Sequence, residues 1–159
     1  MPSPRILSVI GPSRPSPEVA HDAYLLGRFL GQHRAIVVTG GLGGVMEAVS
    51  RGLRETGGLA VGLLPGDSPA DANPYVHVPL ATGLGHFRNY LVVSAGQLVI
   101  AVGESRGTLS EATMALTLGK PVWALHWHTP LQGLQSFPDL STLQEALHAW
   151  WNSQGVPSR

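Results

Sequence analysis

The sequence predicts an α/β fold, a single doubly wound (Rossmann-like) parallel sheet with helices on both faces. Two observations carry the prediction. Runs of strand length recur along the chain and are apolar throughout instead of alternating, the pattern of strands buried on both faces. Between them lie segments with helical spacing of apolar residues, and strands that alternate with helices build parallel sheets. Ligands of such sheets sit outside the carboxyl ends of the strands.

The elements follow in order. Residues 6–10 (ILSVI) form the first strand. Pro17 stands at the favoured first position of a helix that runs to Gln32, with Val19, Tyr24, Leu26, Phe29 and Leu30 as its apolar contacts. Residues 35–38 form the second strand. Val45, Met46, Val49 and Leu53 recur at helical spacing after it, and Gly57-Gly58 closes that helix. Residues 59–64 are the third strand, and the Pro- and Asp-rich stretch 65–74 is a surface loop. Residues 75–79 are a short strand. Residues 85–95 are a helix with Phe87, Leu91 and Val92 inward, and 97–102 (QLVIAV) a central strand. A helix over 109–118 stops at Gly119 and Pro121. Residues 122–125 are the last strand, 126–140 a loop, and 141–151 a closing helix with Leu143, Leu147 and Trp150 on one face. The last eight residues are expected to fray.

Composition narrows the function. The chain has 159 residues, expected to form one domain over 1–159, long enough for a sizeable core. Ten basic side chains balance ten acidic ones, with no basic run, so neither nucleic acid nor an anionic membrane is an expected partner. Charged residues are only 13% of the chain, which leaves much uncharged surface and points to a homodimer or higher homo-oligomer. The absence of cysteine excludes disulfides and thiolate metal sites. No signal-peptide pattern stands at the N-terminus and no run of about 18 apolar residues occurs, so a cytoplasmic location is the default expectation.

Two junctions carry the candidate chemistry. Thr39-Gly40-Gly41-Leu42-Gly43-Gly44 runs from a strand into a helix, and its glycines let backbone N–H groups approach an anion at a positive helix end. Gly40, Gly41, Gly43 and Gly44 are therefore candidate phosphate contacts. A tight turn needing glycine for geometry alone is the plainer reading. The second junction is residues 103–111 (GESRGTLSE), where Arg106, Gly107 and Thr108 are candidate contacts. Thr108 and Glu111 also match a capping box, with Thr108 as N-cap. Alternatively Glu111 meets the ligand, binding a ribose hydroxyl or stabilising positive charge. Arg88 in GHFRN offers the planar fork that suits phosphate, or is a plain surface arginine, and its neighbour Asn89 reads as helix surface. Ser13 in the loop after the first strand is a candidate phosphate or ribose contact at the same edge, or an ordinary loop serine. Glu47 and Arg51, four apart, read as a surface ion pair worth about 0.3 kcal/mol. His126 and His128 have no third ligand in view, so no metal site is expected. Walker and nucleophile-elbow motifs are absent.

Together these residues resemble the LOG-like, or lysine-decarboxylase-like, superfamily of Rossmann-type proteins. That superfamily includes nucleoside-monophosphate phosphoribohydrolases and molybdenum-cofactor carriers. The resemblance covers about residues 6–125. GGLGGVMEAVSRG is similar to the family's GG-x-x-G-(L/V)-M loop, GHFRN to its arginine motif, and GTLSE to the end of its PGG-x-GT-x-x-E motif. TGLGHFRN with GTLSEATMALTLGKPV is most similar to the carrier-like branch. The resemblance implies that Arg88 orients a phosphoribosyl group, that Glu111 assists N-glycosidic cleavage, and that the chain self-associates. One departure stands out: Gly103-Glu104-Ser105-Arg106 replaces Pro-Gly-Gly-x, placing a carboxylate near the proposed phosphate, with Arg106 as a possible offset. Lysine decarboxylation is excluded, because the only lysine, Lys120, lies between a helix end and a strand. The expected function is binding of a nucleotide or phosphorylated cofactor without turnover, as carrier or sensor, with no cofactor required for catalysis. The alternative is a nucleoside 5′-monophosphate phosphoribohydrolase.

Overall fold

The computed structural model describes residues 4–153. Its seven strands are β1 (Ile6–Ile10), β2 (Ile36–Thr39), β3 (Leu59–Leu64), β4 (Val78–Ala81), β5 (Leu98–Val102), β6 (Val122–Leu125) and β7 (Leu134–Phe137). The helices are α1 (Pro17–Gln32), α2 (Val45–Thr56), α3 (Arg88–Ala95), α4 (Arg106–Thr117) and α5 (Leu140–Ser153). All strand pairs are parallel, in the order β4-β3-β2-β1-β5-β6-β7. The chain winds outward from β1 in one direction, then returns to place β5 on its other side. The β1/β5 pair is thus the point where strand order reverses and the loops diverge, opening a crevice.

Strand alternation splits the core in two. Leu7 and Val9 of β1 face a cluster with Leu26 and Leu30 of α1, Val49 and Leu53 of α2, and Leu143 and Leu147 of α5. Ile10 faces the other cluster, with Val92 and Val93 of α3 and Ala112 and Ala115 of α4. β5 is buried along its full length, as its unbroken apolar sequence requires. The buried Ser8 sits on the α3 side, where its hydroxyl donates to the Val92 carbonyl and accepts from Gly96 N–H. Lys120 Nζ donates to the carbonyls of Ser94 and Gly96, both at 2.9 Å, satisfying the C-terminal end of α3. The lysine therefore has a structural task.

α1 and α2 pack so closely that glycine is required between them. A Cβ at Gly27 would lie 2.2 Å from the Val49 carbonyl oxygen, and one at Gly52 would lie 2.3 Å from that of Tyr24. Beside this seam Glu55 gathers Tyr24 and Arg28 of α1, with its own helix's Arg51 at 3.5 Å. The expected Glu47–Arg51 pair does not form. Arg51 turns one helical turn further on to Glu55, where the Tyr24 ring, 4.4 Å away, adds a cation–π contact.

Several expectations are corrected. β7 was expected as loop. Its sequence, LQSF, lacks an apolar run because an edge strand with two exposed positions needs none. β4 occupies Val78–Ala81 and not residues 75–79, with Pro79 tolerated on the opposite edge of the sheet. Residues 85–95 do not form one α-helix. Gly85–Phe87 is a 3₁₀ turn, whose tighter winding sends Phe87 outward, 83% exposed, and leaves Leu91 on the surface too. The inward face of α3 is Arg88, Val92 and Val93. Of the terminal residues expected to fray, Asn152 and Ser153 continue α5 and 154–159 lie outside the described residues, as do residues 1–3 of the N-terminal reading. No helix among the described residues is long and apolar enough to cross a membrane.

The seam predicts the effect of a single methyl group. Gly27→Ala gains about 1 kcal/mol of helix propensity. It also drives a Cβ into backbone that cannot rotate away, an overpacking cost of about 1–3 kcal/mol or more. Urea unfolding is expected to show a net loss of stability. An unchanged or raised midpoint would mean that the two helices separate at no cost.

Candidate functional site

A cavity of about 330 Å³ opens at the β1/β5 switch point. Its floor is the carboxyl end of β1, and Ser13 from the following loop forms one wall. Gly40, Leu42 and Met46 come from the β2–α2 junction, His86, Arg88 and Asn89 from the 3₁₀ turn and α3, and Ser105, Gly107, Thr108 and Glu111 from the start of α4. The structure therefore brings together Ser13, Gly40, Arg88, Gly107, Thr108 and Glu111 from four separate stretches of sequence.

Arg88 is the anchor. It is only 8% exposed, and its Nε has no hydrogen-bond partner. The guanidinium lies directly over the first glycine loop: a Cβ at Gly40 would stand 1.7 Å from Nη1. Gly40 is thus glycine because an arginine occupies its side-chain space. Asn89, read as helix surface, is half-buried and lines the cavity beside Arg88. Burial lowers the Arg88 pKa from its ordinary value, and the nearby Glu111 works against that shift.

Glu111 faces the same cavity without forming an ion pair with Arg88. Burial pushes its pKa up to about 7, against the opposing pull of the Arg88 charge. The capping-box alternative is overturned. α4 starts at Arg106, and its N-cap is Ser105, whose Oγ accepts from Thr108 N–H at 3.1 Å and bonds the Thr108 hydroxyl at 2.8 Å. Ser105 caps as well as threonine would, and an extra turn therefore precedes Thr108. Glu111 lies beyond the first turn and is left to the cavity.

The other predicted contacts serve the scaffold or the surface. Gly41 adopts φ +76°, and a Cβ there would meet Leu64 and Gly62 of β3. Gly44, at φ +69°, is the N-cap of α2. A Cβ there would strike the carbonyls of Pro12 and Ser13, and the next residue, Val45, donates its N–H to Pro12. The α2 N-terminus thus spends an amide on the β1 loop. Gly43 is in open space and Arg106 is exposed, and neither lines the cavity. Glu104 does not point at the cavity either. Its Oε1 accepts from the N–H groups of His128 and Thr129 at 3.1 and 2.7 Å, tying down the loop after β6. Although its partial burial opposes ionisation, these donors hold its pKa below the usual value. His126 bonds Asp22 at 2.6 Å. Among the described residues no cluster of three His, Asp or Glu is arranged to hold a metal.

His86, Met46, Leu42 and Ser105 escaped the sequence reading. For Ser105 a signal existed, a serine three residues before Thr108. His86 is exposed and borders the cavity from the 3₁₀ turn, a placement that periodicity does not reveal.

Comparison with known proteins places this arrangement. The sequence profile of the SLOG cluster4 family matches residues 4–149. An uncharacterised protein of Archaeoglobus fulgidus is 34% identical over 142 residues, 89% of this chain and 91% of that one. The molybdenum cofactor binding protein of the phototrophic bacterium Rippkaea orientalis superposes with a TM-score of 0.86 at 30% identity, over 94% of this chain and 98% of that one. The molybdenum cofactor carrier protein of Chlamydomonas reinhardtii superposes with 0.83 at 28% identity, over 94% and 99%.

The elevated pKa of Glu111 links stability to pH. Between the ordinary carboxylate range and about pH 7 the folded protein holds a proton here that the unfolded chain has released. Stability from this group therefore falls as pH rises through that window. Glu111→Gln is expected to remove this component. The check is urea unfolding of both proteins at about pH 5 and 7.5. A wild-type loss equal to that of the variant would place the pH dependence elsewhere.

Proposed function

Since the chain belongs to the SLOG cluster4 family, we propose that it binds a phosphorylated cofactor of the molybdenum-cofactor kind at the β1/β5 cavity and releases it unchanged. The observation that carries the reading is the Arg88 guanidinium, largely buried on the cavity wall and paired with no carboxylate. A buried cation without a counter-ion is costly unless an anion completes it, and phosphate offers oxygens that suit a guanidinium. The cofactor named for the Rippkaea and Chlamydomonas proteins fits that requirement in kind.

Cleavage of a nucleoside monophosphate is the second reading, favoured by Arg88 and Glu111 sharing one cavity. Turnover there needs an ionised carboxylate beside a sugar developing positive charge. A carboxyl group with a pKa near 7 serves acid–base catalysis as readily as binding, and the carrier proteins among the structural neighbours are what weigh toward holding the ligand.

Self-association belongs to the same reading. Leu84, Phe87, Tyr90 and Leu91 form an exposed uncharged face that continues into a groove with Met114 of α4. A face without charge meets a copy of itself across a two-fold axis without opposing like charges, so a homodimer is the assembly it supports.

Two experiments follow. Wild-type protein incubated with molybdenum cofactor and passed through a desalting column is expected to carry molybdenum. Arg88→Ala is expected to bind about tenfold or more weakly, the usual loss of a charge-assisted hydrogen bond, and AMP is expected to yield no adenine. Equal retention by both proteins would remove Arg88 from the site, and adenine release abolished by Glu111→Gln would establish cleavage. For assembly, light scattering during gel filtration is expected to report a dimer that Phe87→Arg converts to monomer. A monomeric wild type would leave that face without a partner copy.

A further inference from the structure

Arg88 and Glu111 line one cavity and do not form an ion pair, so a ligand that fills the cavity meets both. The Arg88 guanidinium lines this cavity and is paired with no carboxylate. Glu111 receives no hydrogen bond that would steady its charge: burial opposes ionisation and only the Arg88 charge favours it. Besides Arg88, the ionisable side chain that lines the cavity with Glu111 is His86 from the turn before α3, and Ser13, Asn89, Ser105 and Thr108 are its neutral polar side chains. The glycine loop and α2 present no ionisable side chain to the cavity.

A phosphate seated on Arg88 consumes the charge that favours ionised Glu111 and adds negative charge beside it. Both effects push the carboxyl toward its neutral form. A neutral carboxyl is also the better neighbour, because it gains an O–H donor for an anionic oxygen that a carboxylate would repel.

Resting on the anion-site reading above, we infer that this cavity takes up a proton with its phosphate-bearing ligand. Glu111 binds that proton from solvent and donates its O–H to a ligand oxygen that Arg88 does not reach. Binding then tightens as pH falls, and a rise in pH releases ligand without any rearrangement of the fold.

Inorganic sulfate is the suitable probe, since it keeps its charge between about pH 6 and 8, so that any proton exchanged belongs to the protein. Titration calorimetry on the wild type in two buffers of different ionisation enthalpy measures that proton directly. The expected result is uptake approaching one proton per sulfate at about pH 8, with affinity falling up to about tenfold per pH unit above neutrality. Glu111→Gln, which mimics the neutral carboxyl, is expected to bind sulfate at pH 8 more tightly than the wild type and with no such uptake. Three results would overturn the inference: no proton uptake, the same pH dependence in both proteins, or wild-type affinity that rises with pH. The last would mean that the ionised carboxylate is the binding form. Sulfate binding that Arg88→Ala weakens but that takes up no proton would leave the anion site standing and remove only its proton linkage. Absence of sulfate binding by the wild type at about pH 6 as well as pH 8 would remove the anion site itself.

Discussion

A buried guanidinium without a full set of partners governs this molecule. Removing a charge from water costs several kcal/mol, and the cost falls only when an opposite charge or well-placed acceptors replace the lost solvent. Arg88 is 8% exposed, its Nε has no acceptor and Glu111 stands off as the single counter-charge. Much else around it follows. Gly40 lacks a side chain because the guanidinium lies there. The 3₁₀ turn before α3 rotates Arg88 inward and Phe87 outward. α4 begins early enough, capped by Ser105, that Glu111 falls on the cavity wall and not at the helix tip.

The glycine-rich loops divide their labour. Gly40 and Gly107 face the cavity, whereas Gly41 and Gly44 take left-handed backbone conformations and press against β3 and the loop after β1. An amide of the first α2 turn is spent inside the protein, on Pro12. The first glycine loop is therefore as much a joint between strands as a cradle for a ligand. Likewise, Glu104 replaces a glycine of the related motif without adding negative charge to the cavity, because two backbone N–H groups beyond β6 hold it away.

One short segment connects the interior to the surface. Arg88 and the exposed Phe87 are neighbours in sequence, and His86 and Asn89 line both the cavity and the outer groove.

Local chemistry along the chain is sufficient for the alternation of strands and helices, the ligand edge of the sheet and the two glycine-rich junctions, whereas the pairing of Arg88 with Glu111 rests on the family resemblance. Apolar periodicity and glycine punctuation act over a few residues and can be read without the fold. The edge strand Leu134–Phe137 escaped because an exposed strand carries no apolar signature. The burial of Arg88, the space it takes from Gly40, the freedom of Glu111 from its capping role and its pKa near 7 came only with the folded chain. Desolvation and close approach depend on residues that are far apart in sequence and meet only when β1 and β5 come to lie side by side.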